Sequence, residues 1–553
     1  MTLRRATWIS AAVCLLFAVP SGPATADDAP AARSVRAMIR VADGGPAAVI
    51  DVRESIEPPD ARRGLASQGL EVWAGADTFS VADPRLRHVD RLAADGTLEG
   101  GPVRRAAGTT VVFLPPHTRE LRLHDGAAEA RVSLPPAAPL PAADHRRTVR
   151  DLGEIEVVTL RDSGPPESRQ DLVFLAEGYL EDQLQTFLAD VGRVLDQMGA
   201  MEPYVRYMPF INVHAVFVGS AEAGADHPEL EPAVEVDTAL DCTYGAFDVD
   251  RIIDCDAEAV LLLAAEAPGE DVRVVLVNDD AYGGSGGENY AVAFTGEQME
   301  PVAIHELGHT DALLGDEYHA AAPYPGFGSD YVNCARRSDE QGWQPWIDIG
   351  SPGVGAHPGC MWEDWFRPTD RGCVMHVLDA DYCVVCREQV TKAIHTHIPA
   401  LIEGTSPADD VVELDGTAGA TLSISLLVPA GEPFHVVWTW VEQDEVLAEG
   451  PGLSEITLQA GDLEDGLWTI AAFVEDRTDW VLDDPFRLLQ DRASFFVDVS
   501  VEAGDDDDDS GNPNDGSGCA PAGCSGSIAD VPASAAAIFL LPLALRRRRF
   551  SGT

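Results

Sequence analysis

Lysine is almost missing from this sequence. Lys392 is the only one in 553 residues, and arginine supplies the other basic side chains. Lys and Arg together number 38 against 92 Asp and Glu, a formal net charge of −54. A field of that sign repels phosphate backbones, so no nucleic-acid partner is expected, and the charge serves solubility. Long apolar runs are also lacking: none reaches the roughly 20 residues of a full membrane-spanning helix. What remains is the composition of ordinary soluble globular protein, with 45% hydrophobic and 24% charged residues. At about 150 residues per domain, the length predicts three or four domains.

The first residues have the form of an export signal. Arg4 and Arg5 precede an apolar run from Ala11 to Val19, and Ala24-Thr25-Ala26 fits a small-residue cleavage site. The expected divisions are therefore a signal peptide over 1–26 and a mature chain from Asp27. Residues 27–145 read as β, a small sandwich, on runs such as Ser34–Val41 and Thr109–Leu114 separated by Gly, Pro and Asp clusters. The Pro- and Ala-rich stretch from Pro135 to Ala143 reads as a linker.

From 150 to 402 the pattern changes. Asp171–Leu175, Ile211–Val218 and Val272–Val277 are strands of the buried type, nearly continuous in apolar residues. Glu181–Met198 has helical periodicity, with Leu184, Phe187, Leu188, Val191, Val194 and Leu195 on one side. Strands alternating with helices predict an α/β domain. Residues 405–502 return to alternation, clearest at Leu422–Val428, His435–Val441 and Trp468–Val474, and predict a second sandwich of immunoglobulin-like type.

Residues 503–553 begin with an acidic linker that contains Asp505 to Asp509. It lacks the glycine and glutamate spacing of a calcium loop and reads as a solvated tether. Cys519-Ala-Pro-Ala-Gly-Cys524, an apolar stretch from Val531 to Leu545 and four arginines from Arg546 to Arg549 follow in that order. This order resembles the C-terminal sorting tails of myxobacterial surface proteins, which implies membrane retention followed by surface attachment. A plain single-span transmembrane anchor is the alternative. Either way the expected location is secreted or at the cell surface or outer membrane.

Export permits disulfides. Seven cysteines lie between 242 and 386, so at least one has no partner within that region. Cys242 and Cys255 are close enough for a local bridge, and the other pairings stay open.

The chemistry concentrates at His305-Glu306-Leu307-Gly308-His309. Pro301 suits a first helical turn, Glu297 and Glu300 suit its positive end, and Gly315 suits the stop, which predicts one helix from Pro301 to Leu314, about 20 Å long. Histidines four apart project from the same face, so both imidazoles can bind one ion. Glu306 beside them can take a proton from an attacking water. Zinc needs a third protein ligand and an open position. Asp316 is the expected third ligand, with Glu317 the alternative. The Gly283–Gly287 loop lacks the lysine of a phosphate loop and reads as a flexible rim of a cleft.

His305 to Tyr318 resembles the active-site stretch of the bacterial IgA metallopeptidase family. Asp171–Tyr179, Asn212–Pro228, Val274–Asn278 and Tyr282–Gly287 agree with that resemblance, which covers residues 150–400. The resemblance implies a metzincin-like zinc endopeptidase, with Zn2+ as cofactor and protein or peptide substrates. It implies that Met375, in Gly372-Cys-Val-Met375, forms a hydrophobic floor under the metal, and Cys383-Val-Val-Cys-Arg387 follows as in the family. Ala312 and Gly315 stand where the standard metzincin extension has a glycine and a third histidine, which leaves the third ligand open. Cys383 and Cys386 alone suggest a redox pair or a second zinc site. No partner pair is properly spaced, so structural disulfides are expected. His214, His227, His319 and His376 are free candidates read as structural, and Tyr318 or His376 as a group that steadies an oxyanion.

The combined expectation is a multidomain α+β protein: a central metzincin-like α/β zinc peptidase domain, flanked by an N-terminal β-sandwich and a C-terminal immunoglobulin-like β-sandwich. Its activity would be hydrolysis of peptide bonds, with Glu306 as general base. Two alternatives stand beside it, a non-catalytic surface adhesion protein and a zinc amidase acting on cell-wall peptides.

Overall fold

The continuous apolar runs of the middle region become the inner strands of one mixed sheet of six strands. Their order across the sheet is Ile155–Arg161, Ile211–Val218, Gln170–Glu177, Val272–Val277, Ala291–Phe294 and Gly284–Ser285. The four inner strands pair in parallel, and the two outer strands pair antiparallel. Every residue of Gln170–Glu177, Ile211–Val218 and Val272–Val277 is buried, as sequences without alternation require.

These positions come from a computed structural model. It describes residues 34–136 and 154–500 except 43–46, 56–69, 76, 82–83, 93–97, 105–106, 125–128, 247–248, 288, 319–330, 340, 409–410 and 416–418. The expected export signal, most of the expected linker, the acidic segment, the expected tail with Cys519 and Cys524, and His319 lie outside the described residues. No helix among the described residues is long and apolar enough to cross a membrane.

Among the described residues, three helices pack on the sheet. Leu184–Met198 buries Phe187, Val191, Val194 and Met198, and burying each such side chain contributes about 1.5–3 kcal/mol. The helix starts three residues later than its periodicity predicts. Leu180 and Gln183 instead form a turn, in which the Leu180 N–H donates to Gln183 Oε1 at 2.7 Å. Met299–Thr310 packs on that helix and on Ala291–Phe294. Ala257–Ala264 is capped by Asp256, whose carboxylate accepts from the N–H groups of Glu258 and Ala259.

In the N-terminal region, Ser34–Ala42 lies between Ala48–Ser55 and Ala107–Leu114. The described residues of that region also form a four-stranded sheet and a two-stranded ribbon. A separate apolar cluster, including Ile39, Val72, Val112 and Leu121, fills its interior. Met38, Val111 and Phe113 point the other way and join the main core. Arg36 reaches across, hydrogen-bonding Glu270 with two nitrogens and the Leu261 carbonyl at 2.9 Å.

The C-terminal region has a three-stranded and a five-stranded sheet. Gly419–Leu426 stops short of the expected Val428, which is exposed. Asp476 ties this region to the middle one, accepting from Arg206 Nη2 and the Tyr207 hydroxyl, each at 2.7 Å.

Candidate metal centre

Met299–Thr310 carries the His-Glu-Leu-Gly-His sequence, and it ends four residues before the expected Leu314. Gly315 does not stop it. The reversal occurs at Leu313, which takes a left-handed conformation (φ 52°), and the Leu314 N–H reaches back to the Gly308 carbonyl at 3.0 Å. Gly315 is needed for another reason: a Cβ there would meet Tyr331 Cγ at 2.9 Å and Cys334 Sγ at 3.0 Å. The early stop is what lets the next residues fold back against the helix.

Asp316 is the residue brought back. Its Oδ1 lies 3.4 Å from His305 Nε2 and 3.0 Å from His309 Nε2. The two Nε2 atoms are 3.1 Å apart. His305, His309 and Asp316 are each at most 2% exposed. The other ring nitrogens face carbonyls: His305 Nδ1 lies 2.9 Å from Val374 O, and His309 Nδ1 lies 2.7 Å from Leu314 O. A carbonyl can only accept, so both Nδ1 atoms carry a proton, which leaves Nε2 as the nitrogen that each neutral ring would offer to a metal. Two lone pairs and a carboxylate oxygen converging in a buried space are a donor set for a cation. Tetrahedral zinc with bonds of about 2.0–2.1 Å spaces its ligand atoms about 3.3 Å apart, close to what is found.

Two buried glycines shape the wall beside Glu306. A Cβ on Gly286 would lie 2.6 Å from Glu306 Oε2 and 2.8 Å from His309 Cβ, and one on Gly284 would lie 3.1 Å from Glu306 Oε1. Gly283 to Gly287 is therefore not the expected flexible rim. It is buried, and Gly284–Ser285 is an edge strand paired with Val292 and Ala293. The N-terminal strand Leu86–Leu92 lies alongside it.

Met375 sits under the helix at Gly308, where an added Cβ would approach its Sδ to 2.7 Å. The Tyr382 hydroxyl, kept neutral by burial, donates to the Ile304 carbonyl at 2.6 Å. The Tyr318 ring stacks on His305 with centroids 6.4 Å apart. Its hydroxyl is buried without a hydrogen-bond partner among the described residues. His376 is held at about 4, mainly by burial and then by Arg367, so its imidazole is neutral. His214 and His227 are engaged elsewhere: His214 Nε2 lies 3.0 Å from Asp171, and His227 lies 2.7 Å from Glu229 and 3.1 Å from Asp279.

Glu317 does not join the histidines. It faces Cys373, Cys383 and Cys386, with its Oε1 accepting from Cys386 Sγ at 3.1 Å. The disulfides expected at Cys383 and Cys386 are absent; both are buried free thiols, as is Cys373. Among the described residues the bridges formed are Cys242–Cys255, as expected, and Cys334–Cys360. The second bridge sits behind the metal centre. Asn333, beside Cys334, donates to the Gly315 carbonyl and accepts from its N–H, both at 2.8 Å. Met361, beside Cys360, donates its N–H to the Asp316 carbonyl at 2.9 Å.

The spacing of the sequence singled out the two histidines, Glu306 and Asp316, with Glu317 as the alternative to Asp316, and the fold brings His305, His309 and Asp316 together. The carbonyls of Leu314 and Val374 and the glycine wall left no sequence signal, because each depends on backbone brought from elsewhere. The thiol cluster had one: an odd number of cysteines, three of them within 373–386.

Residues 158–327 match the family model described as IgA Peptidase M64, and no curated protein matches the chain. The match supports a peptidase. The family is one of metallopeptidases, and His305, Glu306, His309 and Asp316 all fall inside the matched segment.

Proposed function

We propose that this chain is a zinc-dependent endopeptidase that acts outside the cytoplasm, with His305, His309 and Asp316 as metal ligands and Glu306 as general base. The observation that carries the proposal is the convergence of both Nε2 lone pairs and Asp316 Oδ1 within 3.0–3.4 Å of one another. Two imidazoles and one carboxylate suit zinc and leave a fourth position for water or substrate. When bound there, zinc supplies a Lewis acid that acidifies water and polarises a peptide carbonyl.

The chain's own residues do the rest. Val374 O and Leu314 O fix the tautomer of each histidine, which keeps Nε2 available and raises its basicity. Glu306 takes the proton from the attacking water and returns it to the leaving amine. The glycines at 284 and 286 leave the space its carboxylate needs. The Tyr318 ring stacks beside His305, and its hydroxyl is the group we assign to donate to the oxyanion as charge develops. Met375 supports the helix from below and donates nothing.

The two disulfides support an oxidising compartment, in keeping with the export signal read at residues 1–26. Purified protein incubated with casein, with and without a chelator, tests the reading. Cleavage that stops on chelation and returns with zinc is expected. Glu306→Gln should abolish cleavage while retaining zinc. Full activity in that variant, or cleavage indifferent to chelation, would sink the assignment.

A further inference from the structure

The chain carries a second cluster of metal-binding side chains, separate from the histidine centre. Glu317, Cys373, Cys383 and Cys386 each offer one donor atom, and these atoms all lie within 4.8 Å of one another. All four residues are buried. Cys386 Sγ is 3.1 Å and Cys383 Sγ 3.8 Å from Glu317 Oε1. Tetrahedral zinc with bonds of about 2.3 Å to sulfur and 2.0 Å to oxygen spaces such atoms about 3.5–3.8 Å apart.

We propose that Glu317, Cys373, Cys383 and Cys386 form a closed, structural zinc site that braces the floor of the histidine centre.

Four observations support it. The two cysteines of Cys383-Val-Val-Cys386 sit at the start of the helix Val384–Thr396, with Cys383 as its N-terminal flanking residue. A helix start favours thiolates, and the three-residue step brings both sulfurs to one side. Secondly, the Cys383 N–H points at Cys373 Sγ at 3.4 Å, a contact that stabilises a thiolate. Thirdly, Glu317 Oε2 is fully buried without a hydrogen-bond partner among the described residues. An ionised carboxylate there needs a cation, and Arg367 is close enough to offset part of the remaining negative charge. Fourthly, two disulfides form elsewhere in the chain while three thiols in mutual reach do not pair. Pairing any two would strand the third, whereas a metal ion uses all three and the carboxylate. Soft thiolates with one oxygen select zinc over magnesium or calcium. Four protein ligands leave no open position, so this site is structural.

Its place in the fold gives it a task. Glu317 follows Asp316 directly, and its N–H donates to the Met375 carbonyl at 2.8 Å. Val374, next to Cys373, supplies the carbonyl that orients His305. The ion therefore ties the segment bearing the third histidine-centre ligand to the segment bearing Met375.

The test uses the full-length protein. Elemental analysis after purification is expected to give two zinc ions per chain. Cobalt substituted for zinc should show the intense near-ultraviolet charge-transfer band of thiolate ligation, which imidazole and carboxylate ligands do not give. The double variant His305→Ala/His309→Ala should lose proteolysis and one ion yet keep that band, so failure of the histidine centre is distinguishable from failure of this one. Cys373→Ser and Glu317→Gln should each lose the second ion or weaken or shift the band. Should the cysteine variant fail to fold, the wild-type spectrum still decides. Absence of the thiolate band from the cobalt-substituted protein, or a Cys383–Cys386 disulfide found by peptide mapping, would overturn the proposal, whereas one zinc per chain with the band retained would support this site and count against the histidine centre.

Discussion

Asp316 and Glu317 are neighbours in sequence, yet their carboxylates enter different clusters: Asp316 Oδ1 lies 3.0 Å from His309 Nε2, and Glu317 Oε1 lies 3.1 Å from Cys386 Sγ. Substitutions at the two positions are therefore expected to differ in effect. Perturbing only the hydrogen-bond partner of a zinc ligand weakens metal binding about 10–100-fold. Asp316→Asn, which alters the proposed third ligand itself, is expected to do at least as much at the histidine pair and to abolish casein cleavage. Competition with a chelating dye reads the metal affinity. Wild-type affinity and activity in Asp316→Asn would return the third-ligand role to another residue.

Gly286 makes a steric prediction. In Gly286→Ala the new methyl group would lie 2.6 Å from Glu306 Oε2 and 2.8 Å from His309 Cβ. The carboxylate must move, and misplacement of a catalytic group by about 1 Å can cost on the order of a hundredfold in rate. Turnover of a fluorogenic peptide should fall by that order while zinc content and the circular dichroism spectrum stay as in wild type. Unchanged turnover would mean that the wall is not in contact with the working carboxylate.

Gly308 opposes two effects. Alanine ordinarily stabilises a helix interior by about 0.5–1 kcal/mol over glycine. Here its Cβ would lie 2.7 Å from Met375 Sδ, in a packed site where overpacking costs about 1–3 kcal/mol. Overpacking outweighs the gain in helix propensity, so Gly308→Ala should lower the denaturation midpoint, and adding Met375→Ala should recover part of the loss. A raised midpoint in the single variant would show that Met375 yields.

Glu270 gives a pH dependence. Burial alone would raise its carboxyl pKa, but Arg36 and Arg273 outweigh burial and hold it below the ordinary range. A carboxylate whose folded value is lowered contributes stability that is full above the ordinary pKa of about 4.3 and is lost as pH falls through the lowered value. Wild type should therefore exceed Glu270→Gln in urea midpoint near about pH 7, with the gap closing as pH drops below about 4. A gap that persists in strong acid would assign the contribution to packing and not to charge.

Much of the scaffold was legible because local pattern and tertiary role coincide. Ile211–Val218 and Val272–Val277 appear as strands at the residues where apolar runs predict them. Such runs leave no polar face for water. Boundaries moved where a turn or capping contact intervened, as Gln183 does before Leu184 and Leu313 does after Thr310. Spacing four apart placed both imidazoles on one helix face without any tertiary information.

The sequence by itself determined the donor types and their order: two histidines with a glutamate between them, then two consecutive carboxylates after a break. Only the folded chain decided which carboxylate goes where. A turn at Leu313, clamps from Asn333 and Met361, and the cysteine segment at 373–386 rotate Asp316 toward the histidines and Glu317 away from them. Those partners come from as many as 69 residues away. Helical periodicity extends over a few turns and carries no information about contacts at that separation, whereas packing does.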